Sequence, residues 1–229
     1  MGDVFRNLDW SIVTNALYLI IPALVSLTIH ELAHGFVAYR LGDPTAKMQG
    51  RLTLNPIKHI DPIGLLMMLV ARFGWAKPVP VDMRNFKNPK RHMAITALAG
   101  PVSNMLLAVI VVFIYGLVFA HLGGRHATGA AEAALIMLQN TVYLSVMFAI
   151  FNLIPIPPLD GSKILFSFLP NRAYNVLMRY ERFGMLILIA LIWFGIFRDT
   201  VVVALETVFI WLLENVGQPA ADIVSGIGR

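Results

Sequence analysis

Three long apolar runs, at residues 10–39, 92–120 and 133–154, leave this chain little choice of surroundings. A helix crossing the hydrocarbon of a bilayer needs about 20 apolar residues, and each run meets that length. Hydrophobic residues make up 58% of the chain and charged ones only 14%, with mean hydropathy +0.72. A soluble domain runs closer to half apolar and a quarter charged. With 229 residues and so little polar surface, the chain reads as an all-α polytopic membrane protein. Two shorter runs, 183–197 and 200–213, are separated by Arg198 and Asp199. Each is short for a crossing, so the expectation is four or five transmembrane helices, with the second short run left open between a span and an interfacial piece.

Basic residues orient the spans. Ten Lys or Arg lie from Arg40 to Arg91, and four more from Lys163 to Arg182, whereas the loop around 123–128 holds only Arg125. The positive-inside rule places the two rich loops on the cytoplasmic side. The net charge of +5 is spent on this asymmetry and not on a face for nucleic acid. Residues 1–7 precede a run with no small-residue cleavage site, so the first run is expected to be a retained helix. The absence of cysteine excludes a disulfide framework and thiolate chemistry.

Inside the first run stands His30-Glu31-Leu32-Ala33-His34. Histidines four apart on a helix share one face, so both imidazoles can hold one Zn²⁺. Glu31 is then placed to take a proton from the water on that metal. The competing reading is a polar cluster bonded to neighbouring helices. Ionisable groups within a membrane segment are costly and usually functional, which favours the metal. Gly42-Asp43-Pro44 stops the helix within about three turns, so the metal is expected within the membrane, nearer the cytoplasmic face.

A third ligand comes from the end of the 133–154 run. Pro155, Pro157 and Pro158 break the helix, and Asp160 follows directly. Two nitrogens and one carboxylate, with the fourth position open, is a catalytic zinc arrangement. Asp160 can also be the N-cap of a following helix; together with the histidine pair, ligation is the preferred reading. Asn104 and Asn152 are weaker candidates for holding substrate, with hydrogen bonding between helices as the alternative. Residues 47–54 alternate in part and suggest short strands. The apolar piece 63–73 has basic flanks on both sides and suggests a re-entrant segment, which is tolerated only against protein or a water-filled cavity.

The segments His30-Glu31-Leu32-Ala33-His34-Gly35, Gly100-Pro101-Val102-Ser103-Asn104, Leu159-Asp160-Gly161 and the stretch 73–81 resemble the site-2 protease family of intramembrane zinc metalloproteases, in its compact prokaryotic type. The resemblance covers roughly residues 20–170. It implies a three-helix catalytic core around one Zn²⁺ per chain, with His30, His34 and Asp160 as ligands and Glu31 as catalytic base. It implies cleavage of a transmembrane protein or peptide substrate in the lipid bilayer of a prokaryotic cell, often in regulated proteolysis. Residues 1–229 are then expected to form one domain, with a core at about 10–170, a small β/re-entrant region after the first helix and C-terminal helices at 183–214. A substrate could add as a strand to an edge at 47–54. The alternatives are a divalent-metal transporter, which gives Glu31 no particular role, a non-proteolytic membrane metal-binding protein, and a metalloprotease with a soluble catalytic domain. The apolar residues 22–29 before the motif argue against the last.

Overall fold

The computed structural model describes residues 10–64, 77–122 and 124–227. Helix α1 (Trp10–Arg40) is followed by a one-turn helix α2 (Thr45–Met48). Then come α3 (Pro89–His121) and α4 (Ala130–Asn152), the short α5 (Asp160–Ser167) and α6 (Asn171–Tyr180), and α7 (Gly184–Trp193). Helix α8 (Arg198–Leu212) runs through a π-turn (Leu213–Gly217) into α9 (Gln218–Ile227).

Four helical stretches are long and apolar enough to cross a membrane: Thr14–Arg40, Pro89–His121, Ala130–Asn152 and Arg198–Gly226. The last answers what the sequence left open at 200–213, and four candidates fall within the four or five spans expected. Residues 198–226 form one helical stretch, because the π-turn absorbs an extra residue without ending it. Gly184–Trp193 remains too short on its own.

Helices α1, α3 and α4 pack against one another, and α8 and α9 lean on α4 and α3. The apolar core, Ala108, Val111, Val112, Val142, Val146, Leu205 and Leu212, lies where α3, α4 and α8 meet. Pro22 interrupts the α1 ladder, since it has no N–H for the carbonyl of Tyr18. Asn140 of α4 donates to that carbonyl at 2.7 Å and so converts the break into a tie between helices. A second tie is the buried Ser26–Ser145 hydrogen bond of 2.8 Å.

No strand forms among the described residues. At 47–54, where strands were expected, α2 makes one turn, the Arg51 N–H bonds back to the Ala46 carbonyl, and Gly50 reverses the chain at φ +63°. Local hydrogen bonding has taken backbone groups that an edge strand would need free. The expected re-entrant piece lies outside the described residues from position 65 onward.

Asp43 anchors the stop of α1. Its buried carboxylate accepts from the Thr45 N–H, the Thr45 hydroxyl, the Asn85 side-chain amide at 2.7 Å and the Asp82 N–H at 2.7 Å. Burial alone would raise its carboxyl, but these donors outweigh that and hold it below the ordinary aspartate value of 3.8. The segment leading from residue 77 into α3 is thereby pinned beside the C-terminal end of α1. Arg51 adds a bond to the Lys77 carbonyl at 2.7 Å, and the Lys77 N–H donates to the His59 carbonyl at 3.0 Å.

Candidate metal centre

The C-terminal part of α1, the N-terminal part of α3 and the start of α5 converge on three side chains. His30 Nε2 and His34 Nε2 lie 3.0 Å apart, and each is 3.1 Å from Asp160 Oδ2. Among the described residues these three form the group able to share a metal ion, and all are buried. His59, His92, His121 and His126 are not part of it. Zinc bonds of 2.0–2.1 Å in a tetrahedron separate neighbouring ligand atoms by about 3.3 Å. The donor triangle therefore needs to open by only about 0.3 Å per edge.

The local fold explains each donor. Leu159, not Asp160, occupies the N-cap position of α5, and Asp160 is the first helical residue. Its carboxylate is not consumed as a cap and turns to the imidazoles. Burial would raise the Asp160 carboxyl; His34 and His30 outweigh it and hold it below the usual carboxylate range, so it stays anionic at neutral pH. His34 Nδ1 donates to the Thr96 carbonyl at 2.7 Å, which leaves its Nε2 lone pair facing the other two donors.

Helix α3 comes so close because residue 100 has no side chain. A Cβ there would lie 2.5 Å from His30 Cε1 and from His34 Cε1 and Nε2. Gly161 plays the same part beside Asp160, where a Cβ would meet the Leu153 carbonyl oxygen at 2.2 Å. Glu31 faces a cavity of about 420 Å³ shared with His30, His34, Asp160, Asn152 and Lys163. The Val79 N–H donates to Glu31 Oε2 at 2.7 Å and fixes the carboxylate beside the cluster. Lys163 makes only a loose pair with Glu181, at 3.9 Å, on the same cavity.

The structure separates the two asparagines. Asn152 lines the cavity, with its amide donating to the Phe148 carbonyl at 3.0 Å. Asn104 is fully buried behind His30, with its amide nitrogen 3.1 Å from Nδ1. Sequence reasoning missed Val79 and Thr96. Both act through backbone atoms, which residue type does not advertise.

Apolar helices long enough to span a membrane, with a buried His-His-carboxylate cluster beside a glutamate, suit a membrane protein of the metalloprotease class. The comparisons agree. The sequence model of peptidase family M50 matches residues 121–195. YwhC of Bacillus subtilis, which carries a zinc-metalloprotease name, is 41% identical over 202 residues, 88% of this chain and 87% of its own length. An alignment that long within 229 residues includes both residues 30–34 and Asp160. Rip2 of Mycolicibacterium smegmatis, named likewise, is 34% identical over 173 residues, 74% of this chain and 64% of its own. The zinc metalloprotease MJ0392 of Methanocaldococcus jannaschii is 24% identical over 207 residues, 88% of this chain and 50% of its own. No solved structure matches the chain. This chain belongs to peptidase family M50, the site-2 protease family, whose metal is zinc.

Proposed function

We propose that this protein is a zinc-dependent intramembrane endopeptidase that hydrolyses a peptide bond in or near the transmembrane segment of a membrane-protein substrate, in the service of regulated proteolysis. The observation that carries the reading is the convergence of His30, His34 and Asp160 within 3.1 Å of one another, beside Glu31. These three side chains hold the zinc. Bound there, zinc supplies Lewis acidity that polarises a carbonyl and acidifies water.

The chain's own groups do the rest. Glu31, held by the Val79 N–H, accepts a proton from water and passes it to the leaving amide nitrogen. Asn152 and Lys163 line the cavity and offer N–H donors to the substrate backbone and to the negative oxygen that develops on its carbonyl. A helical peptide bond is shielded by its own turn, so the substrate must unwind before its carbonyl reaches the cluster. The site lies near the ends of α1 and α4 that border the basic loops. By the positive-inside rule this is the cytoplasmic side.

The full-length protein is purified in detergent and tested on a model transmembrane peptide, with zinc content measured alongside. Glu31→Gln should keep one zinc per chain and lose cleavage by about 10²–10⁴-fold. Asp160→Ala should lose the zinc. Full cleavage by Glu31→Gln overturns Glu31 as the base, whereas a wild type that binds zinc and cleaves nothing leaves the transporter, for which zinc flux into proteoliposomes is the corresponding assay.

A further inference from the structure

We infer that Asn104 is a positioning residue for His30, acting through its side-chain carbonyl oxygen, and does not contact substrate. The inference rests on the reading of His30, His34 and Asp160 as the zinc ligands. A histidine bound to metal through Nε2 keeps a proton on Nδ1, and that N–H needs an acceptor to set the ring's tautomer and tilt. For His34 the acceptor is the Thr96 carbonyl, at 2.7 Å. For His30, the polar group at Nδ1 is the Asn104 side-chain amide, at 3.1 Å.

Asn104 is completely buried, is not among the residues lining the active-site cavity, and its Oδ1 has no hydrogen-bond partner. A half-turn about the last side-chain bond exchanges the amide oxygen and nitrogen without changing the shape of the group. With the oxygen forward, Asn104 accepts from His30 Nδ1–H and the amide nitrogen takes the place Oδ1 held, so the orientation is decided by the acceptor that a metal-bound imidazole needs. Thr96, Gly100 and Asn104 stand at intervals of four on α3, hence on one helical face. That face supports the histidine pair three ways: a backbone acceptor for one ring, clearance for both, and a side-chain acceptor for the other.

The test compares two variants of nearly the same size in the full-length protein. Asn104→Asp keeps an acceptor and removes the N–H donors, whereas Asn104→Leu removes both. Zinc affinity is read by chelator competition, thermal unfolding is followed in detergent, and KM and kcat are measured on a model transmembrane peptide. Asn104→Leu should weaken zinc binding by about 10–100-fold. Asn104→Asp should bind zinc close to wild type with an unchanged KM. Should Asn104→Leu fail to fold, Asn104→Ala takes its place. Wild-type zinc affinity in the leucine or alanine variant overturns the inference. So does an aspartate variant as weak as the leucine one, which would make the amide N–H the working group, and so does a raised KM with zinc affinity intact. Zinc bound by the wild type and lost in Asp160→Ala, with both Asn104 variants unaffected, overturns this inference alone; a wild type that binds no zinc overturns the metal reading beneath it as well.

Discussion

Gly100→Ala is the smallest change that tests whether α3 is pressed against the histidine pair. The added methyl carbon would lie 2.5 Å from His30 Cε1 and from His34 Cε1 and Nε2. Non-bonded carbons settle at about 3.5–4.0 Å, so something must retreat by about 1 Å. The imidazoles have little freedom to do so, since His34 is tied to the Thr96 carbonyl on the same helix and both face Asp160. Overfilling of this kind costs about 1–3 kcal/mol. If the ligand set absorbs the strain, zinc affinity falls by about 5–150-fold. If the helices separate instead, the loss shows in thermal unfolding. Chelator competition and unfolding in detergent, run on the same preparation, distinguish the two. Gly226→Ala is the control: a Cβ there meets nothing within 4 Å, and a helical alanine is if anything favourable. Wild-type zinc affinity together with wild-type stability in Gly100→Ala would refute the reasoning, because it would mean that α3 does not touch the rings.

Two other perturbations address the segment that borders the site. Val79→Pro deletes the N–H that holds Glu31, a hydrogen bond to a carboxylate worth about 1.5–3 kcal/mol; cleavage should fall by about 10-fold or more with zinc content unchanged, and loss of zinc would contradict the assignment. Asp43→Asn tests the anchor below α1. Because the folded Asp43 carboxyl is held below 3.8, its contribution to stability is present at neutral pH and is lost as pH falls below that value through the depressed one. The unfolding temperatures of wild type and Asp43→Asn should therefore differ at pH 7 and draw together toward pH 3, and a gap that stays constant with pH would show that the carboxylate charge is not what holds the segment.

What could be read in the chain beforehand follows from how each feature is encoded. His30, Glu31 and His34 were legible because the helical period alone places two imidazoles on one face. Asp160 was ambiguous between ligand and cap, since an aspartate after a proline break suits both; Leu159 takes the N-cap, and the carboxylate lies beside the imidazoles. The last span was left open because Arg198 and Asp199 cut the apolar pattern, whereas a π-turn carries the helix past Leu212. The strands at 47–54 failed for a related reason: partial alternation is a tertiary signal, and here Pro44 and Gly50 impose local turns that take the backbone bonds first. Around the cluster, what escaped notice was either backbone, as at Val79 and Thr96, or empty space, as at Gly100. A metal centre built where helices cross depends as much on such groups as on its ligands. Thr96, Gly100 and Asn104 show how that support can still be sought, as an acceptor, a gap and an amide at four-residue spacing on the helix facing a histidine pair.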